Sequence, residues 1–162
     1  MALLTLKAAG YVDVDAGEIV RPGILKVDGD RIVGLGGQPE GEVFDLGEAI
    51  LLPGLMDMEV NLLMGGRGES PGLSQVQDDP PTRVLRAVGN ARRTLRAGFT
   101  TVRNLGLFVK TGGYLLDVAL GKAIDAGWID GPRIVPAGHA ITPTGGHLDP
   151  TMFAAFMPGV LD

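Results

Sequence analysis

The stretch Leu51-Leu52-Pro53-Gly54-Leu55-Met56-Asp57-Met58-Glu59-Val60-Asn61-Leu62 decides how the rest of the chain is read. It is an apolar strand entered through a Pro-Gly turn. Strand side chains alternate between two faces. The pattern predicts Leu55, Asp57, Glu59 and Asn61 on one face and Met56, Met58, Val60 and Leu62 on the other. Three successive polar groups on one face of so apolar a segment are costly unless they meet water, partners or an ion. A half-exposed strand with a solvated face satisfies that condition, and so does a binding site.

Composition narrows the classes. A chain of 162 residues, 45% hydrophobic, can bury one core or one and a part. The 26 glycines and 11 prolines fall between short apolar runs, as in strands and helices joined by tight loops. A net charge of −5 argues against a nucleic-acid partner, because phosphate binding is built on basic surface. The absence of cysteine excludes disulfides and Cys-ligated zinc and fits a cytoplasmic protein. The opening residues lack a basic n-region, and the longest apolar run, Ala49 to Leu63, is too short and too polar to span a bilayer, so no membrane is expected.

Upstream of the Pro-Gly turn, Leu3 to Asp45 reads as all β. Leu4–Lys7, Tyr11–Val14, Ile24–Val27, Arg31–Leu35 and Val43–Leu46 are short alternating runs. Asp28-Gly29 between two of them is a hairpin turn, because glycine takes positive φ without steric cost. Downstream, Met64 to Pro81 is rich in Gly, Pro, Ser and Asp and reads as a long loop, a length that is uncommon and usually functional or disordered. A helix follows over Thr82–Ala97, capped by Asp79 or Thr82, with Val84, Leu85, Val88, Ala91 and Leu95 as its apolar stripe and Gly98 closing it. Its arginines, Arg83 among them, read as a solvated face. Phe99–Gly106 is a β-branched strand, Leu115–Ala126 a second helix, and Arg133–Gly138 a third strand. This order predicts parallel βαβ units.

Four segments, in order and at the right spacing, resemble the amidohydrolase superfamily in its imidazolonepropionase-like and prolidase-like branch. The opening stretch resembles the first barrel strand, Pro-Gly-(Leu/Ile/Phe)-(Ile/Met)-Asp-x-His-x-His. Ala97-Gly98-Phe99-Thr100-Thr101-Val102-Arg103-Asn104 resembles Ala-Gly-(Phe/Val)-Thr-Thr-Val-Arg-Asp. Gly131-Pro132-Arg133-Ile134 and Thr144-Gly145-Gly146-His147-Leu148-Asp149 complete the set. The resemblance implies an α/β fold: a small N-terminal β-sandwich part, 1–50, then the first three βα units of an incomplete (β/α)8 TIM-like barrel, 51–162. It covers nearly the whole chain but about two-fifths of a family chain, since such a barrel alone needs about 250 residues.

For function, the resemblance implies a divalent-metal cofactor (Zn, Mn or Fe) and hydrolysis of a C–N bond in a small-molecule amide, dipeptide or cyclic amide. It also implies where the chain departs. Glu59 and Asn61 occupy the positions of the two strand-one histidine ligands, and Asn104 stands where the family usually has aspartate. Glu59 and Asn61 offer oxygens to a hard ion such as Mg²⁺ or Mn²⁺. With neutral Asn104 nearby, loss of the transition-metal site is favoured over its redesign, which raises a second possibility, a non-catalytic relative used for binding or assembly. His147 takes the place of a family histidine that faces the active site, a substrate-contact position. His139 has no counterpart role. Three barrel strands leave a hydrogen-bonding edge and apolar surface uncovered, which predicts a homo-oligomer or completion by another polypeptide.

Overall fold

The computed structural model describes residues 3–66, 68, 74, 77–105, 113–144 and 146. They divide into two compact units, 1–53 and 54–162.

The first unit is built of strands alone. β1 (Leu4–Ala8), β4 (Gly23–Asp28), β5 (Arg31–Leu35) and β6 (Glu42–Asp45) form a four-stranded sheet in the order β5-β4-β1-β6, with β1 antiparallel to β4 and parallel to β6. β2 (Gly10–Asp13), β3 (Glu18–Val20) and β7 (Ile50–Leu51) form a second sheet in the order β3-β2-β7. The Asp28-Gly29 hairpin is present: Asp28 pairs with Arg31, and Gly29 has φ 60°. β3 and β7, three and two residues long, are too short to show a period and are additions to the sequence reading. Thr5 is fully buried, and its hydroxyl accepts the Glu40 N–H at 3.0 Å while donating to the Glu40 carbonyl. β2 and β4 cross where Gly10 meets Gly23: a Cβ on Gly23 would lie 2.5 Å from the Gly10 carbonyl carbon.

The second unit alternates strand and helix: β8 (Leu55–Val60), α1 (Pro80–Arg96), β9 (Phe99–Asn104), α2 (Leu116–Asp125) and β10 (Arg133–Pro136). The three strands pair in parallel in the order β10-β9-β8, as the βαβ spacing predicts. Leu62, Leu63, Ala87, Ala91, Val102, Leu116 and Leu120 form the core between sheet and helices, with Val60, Val84 and Ile134 packed on it. Among the described residues, no helix is long and apolar enough to cross a membrane.

Asp79 is the N-cap of α1. Its Oδ1 accepts the Thr82 N–H at 2.9 Å, and Pro80 and Pro81 follow in the first turn, where a missing N–H costs nothing. The Thr82 hydroxyl, then the Thr82 N–H, hold the Asp79 carboxyl below its ordinary value. A carboxyl depressed in the folded state stabilises it above the unfolded-state pKa, and that contribution is lost as pH falls through the folded-state pKa. Asp79→Ala is therefore expected to lower the melting temperature at neutral pH. Melts repeated at progressively lower pH are expected to narrow the gap to wild type as the Asp79 carboxyl takes up its proton.

The sheet-facing stripe of α1 differs from the sequence reading. Arg83, Ala87 and Ala91 are its buried residues, whereas Leu85 is 73% exposed. Alanine brings the helix close to the sheet, and the stripe that results is rotated from the one marked by the larger side chains. Part of the Met64–Pro81 region is helical as well: Ser74 and Gln77 take helical conformation, and the Asp78 N–H donates to the Ser74 carbonyl at 3.1 Å.

Candidate functional site

The strand β8 does not alternate as its sequence suggests. Asp57 pairs with Val102 and Val60 with Asn104, so three residues of β8 advance against two of β9. That is a β-bulge. Asp57 builds it, because its Oδ1 accepts the Glu59 N–H at 3.0 Å. The extra residue resets the faces. Val60 packs on the helix-side core, while Met56 and Met58, expected on Val60's side, are exposed. Glu59, inside the bulge, and Asn61, just past the end of β8, flank Val60 in sequence, and both are exposed.

The turn that carries Asn61 is fixed by two side chains from other elements. Asn104, at the end of β9 and 1% exposed, accepts the Leu62 N–H on Oδ1 at 2.9 Å and donates from Nδ2 to the Leu105 carbonyl at 2.8 Å. Asn90, in the middle of α1, donates from Nδ2 to the carbonyls of Leu62 at 2.7 Å and Met64 at 3.1 Å. Its Oδ1 accepts from Arg93 Nη2 at 2.6 Å. Both polar groups of the Leu62 backbone are thus held by asparagines, while the Leu105 N–H closes on the Val60 carbonyl at 2.9 Å. Asn104 sits on the helix side and binds main chain, a structural post within the core.

The end of β10 is held in a related way. Asp117, fully buried in the first turn of α2, accepts the Val118 N–H on Oδ1 and the Gly138 N–H on Oδ2, each at 2.9 Å. Gly138 has φ 71°, and His139, next in sequence, is exposed. Neither Asn90 nor Asp117 drew notice in the sequence, although each left a signal. Asparagine is a poor helix-interior residue, and an aspartate between Leu116 and Leu120 sits on an apolar stripe.

Of the residues singled out from sequence, Glu59 lies in the bulge and Asn61 just past β8, both exposed, Asn104 is buried at the end of β9, and His147 falls outside the described residues. Among the described residues, no three His, Cys, Asp or Glu side chains converge. One carboxylate and one amide are two oxygen donors, where zinc takes about four ligands from His, Cys or carboxylate side chains and magnesium about six oxygens. The described residues do not fit a divalent-metal centre.

No family model matches the chain, and no curated protein does. Solved structures do. A Xaa-Pro dipeptidase with methionine bound in its active site is 28% identical, with a TM-score of 0.73 over 95% of this chain and 37% of its own. A prolidase complexed with N-methylphosphonate-L-proline is 26% identical, with a TM-score of 0.74 over 90% of this chain and 34% of its own. A protein described as an amidohydrolase is 25% identical, with a TM-score of 0.77 over 96% of this chain and 36% of its own. The fold is that of the amidohydrolase superfamily. This chain spans about a third of the length of the amidohydrolase structures it matches. Within that third, the chain carries the Pro-Gly-led strand β8, its bulge and the parallel β8-β9-β10 sheet.

Proposed function

We propose that this chain carries the β-sandwich part and the first three βα units of an amidohydrolase-type hydrolase acting on C–N bonds of small amides, dipeptides or cyclic amides. The parallel β8-β9-β10 register supports this reading, together with the likeness to a dipeptidase and a prolidase. On this reading β8 to β10 are barrel strands one to three, and the face bearing Glu59 and Asn61 looks into the barrel. When bound in such hydrolases, a divalent metal lowers the pKa of a water and polarises the scissile carbonyl. The role assigned to residues of this chain is placement: Asp57 sets the bulge, and Asn90 and Asn104 fix the turn that presents position 61. His147 contacts substrate.

The alternative, a non-catalytic relative serving binding or assembly, is favoured by one observation. The positions of the two histidine ligands hold Glu59 and Asn61, and the described residues add no third ligand. Met56 and Met58 on β8 and Val135 on β10 are exposed as well, which suits association with another copy or another polypeptide.

Glu59→His combined with Asn61→His tests between them. Zinc and manganese titrations followed by calorimetry, with mass by light scattering on the same sample, give a readout that needs no turnover. The double variant is expected to bind zinc on the order of a hundredfold more tightly than wild type. Stoichiometric Zn, Mn or Fe in purified wild-type protein would instead remove the non-catalytic reading. Equal, negligible zinc binding by both proteins would count against positions 59 and 61 as metal seats.

A further inference from the structure

Arg83 stands apart from the other arginines of α1. It is 2% exposed, on the stripe that Ala87 and Ala91 share against the sheet. Its Nε and Nη2 are both buried and without a hydrogen-bond partner. Those two N–H groups form one edge of the guanidinium, the edge that meets a carboxylate side-on through two parallel bonds. One turn along, Arg86 has that edge filled: its Nε and Nη2 donate to Asp78 Oδ2 at 2.9 and 2.7 Å.

Nothing described nearby is free to do the same for Arg83. Asp78 favours its charge from a distance but is engaged by Arg86. Asp79 is committed to the N-cap, and the first turn of α1 holds no acidic residue. Burial pulls the guanidinium down from its usual range, yet arginine does not lose its proton in proteins, so neutralisation cannot relieve the site. An anion can. The N-terminal end of α1 adds the positive end of a 17-residue helix. Arg83 precedes Asn90 by about 10 Å along the helix, at 1.5 Å per residue. Asn90 already reaches the turn after β8, so Arg83 lies toward the loops at the C-terminal ends of the strands.

We propose that Arg83 is the seat of an oxyanion site that takes the carboxylate of a small acid, side-on and bidentate, at the N-terminal end of α1. The site requires neither a metal nor turnover by this chain.

Formate is the probe. Melts of the full chain are run with increasing sodium formate, the ionic strength held constant with sodium chloride, and with inorganic phosphate in a parallel series. Formate is expected to raise Tm saturably by about 3 °C or more. Arg83→Met is expected to abolish the rise, and Arg83→Lys, which keeps the charge without the fork, to weaken it at least about fivefold in apparent Kd. No formate response in wild type, or an unchanged response in Arg83→Met, overturns the site. A larger rise with phosphate than with formate overturns the carboxylate assignment. Should Arg83→Met fail to fold, arginine Nε–H resonances of the wild type decide it. The resonance missing from Arg83→Lys must shift on formate titration, and its failure to move overturns the proposal.

Discussion

Gly54→Ala is expected to unfold the 54–162 unit or destabilise it by about 3 kcal/mol or more. A Cβ at position 54 would sit 2.0 Å from Thr100 Oγ1, 2.3 Å from its Cγ2 and 2.7 Å from its Cβ. Rotating the threonine moves the first two atoms but not the third. Relief requires β8 and β9 to part where the Leu55 N–H donates to the Gly98 carbonyl at 2.9 Å. The glycine of the Pro-Gly turn is therefore needed for close approach of two strands. Thr100→Gly removes all three obstructing atoms. The double variant is expected to be more stable than Gly54→Ala alone, a coupling that urea denaturation followed by far-UV circular dichroism measures. A Gly54→Ala protein as stable as wild type would mean that the strands are not this close in solution.

Asn104→Leu is expected to lose about 2–4 kcal/mol. Leucine fills comparable space but leaves the Leu62 N–H and the Leu105 carbonyl without their partners at a site that is 1% exposed. The cost comes from stranded main-chain groups, so the loss should be local before it is global. Amide exchange at Leu62 is expected to accelerate more than exchange in the middle of β9. A variant that melts like wild type with Leu62 still protected would show that the amide clasp carries no stability.

The order of strands and helices in the second unit was legible because its signals are strong and redundant. Asp79 capping, the Pro pair, Gly98 closing α1 and the β-branched run of β9 agree with one another. The Asp28-Gly29 hairpin was legible for the same reason. The faces of β8 were not. Strict alternation has no means of showing a bulge, and the residue that makes it, Asp57, looks from sequence like one more polar group in the row. Asn104 was misread in kind: as an altered ionisable group it suggested chemistry, and its surroundings make it a tie between strands. Arg83 was counted with its solvated neighbours because burial of a charge is invisible to periodicity. Sequence could mark positions 59 and 61 as candidates; it could not show the side chains that hold the turn around them.

The clasp around Leu62 has a further meaning. The bonds that shape this turn run from Asn90 and Asn104 to main-chain atoms, and the bulge before it is closed by Asp57 on a main-chain N–H. None involves the side chain at 59 or 61. The side chains at 59 and 61 can therefore be exchanged without disturbing any of the bonds that shape the bulge and the turn.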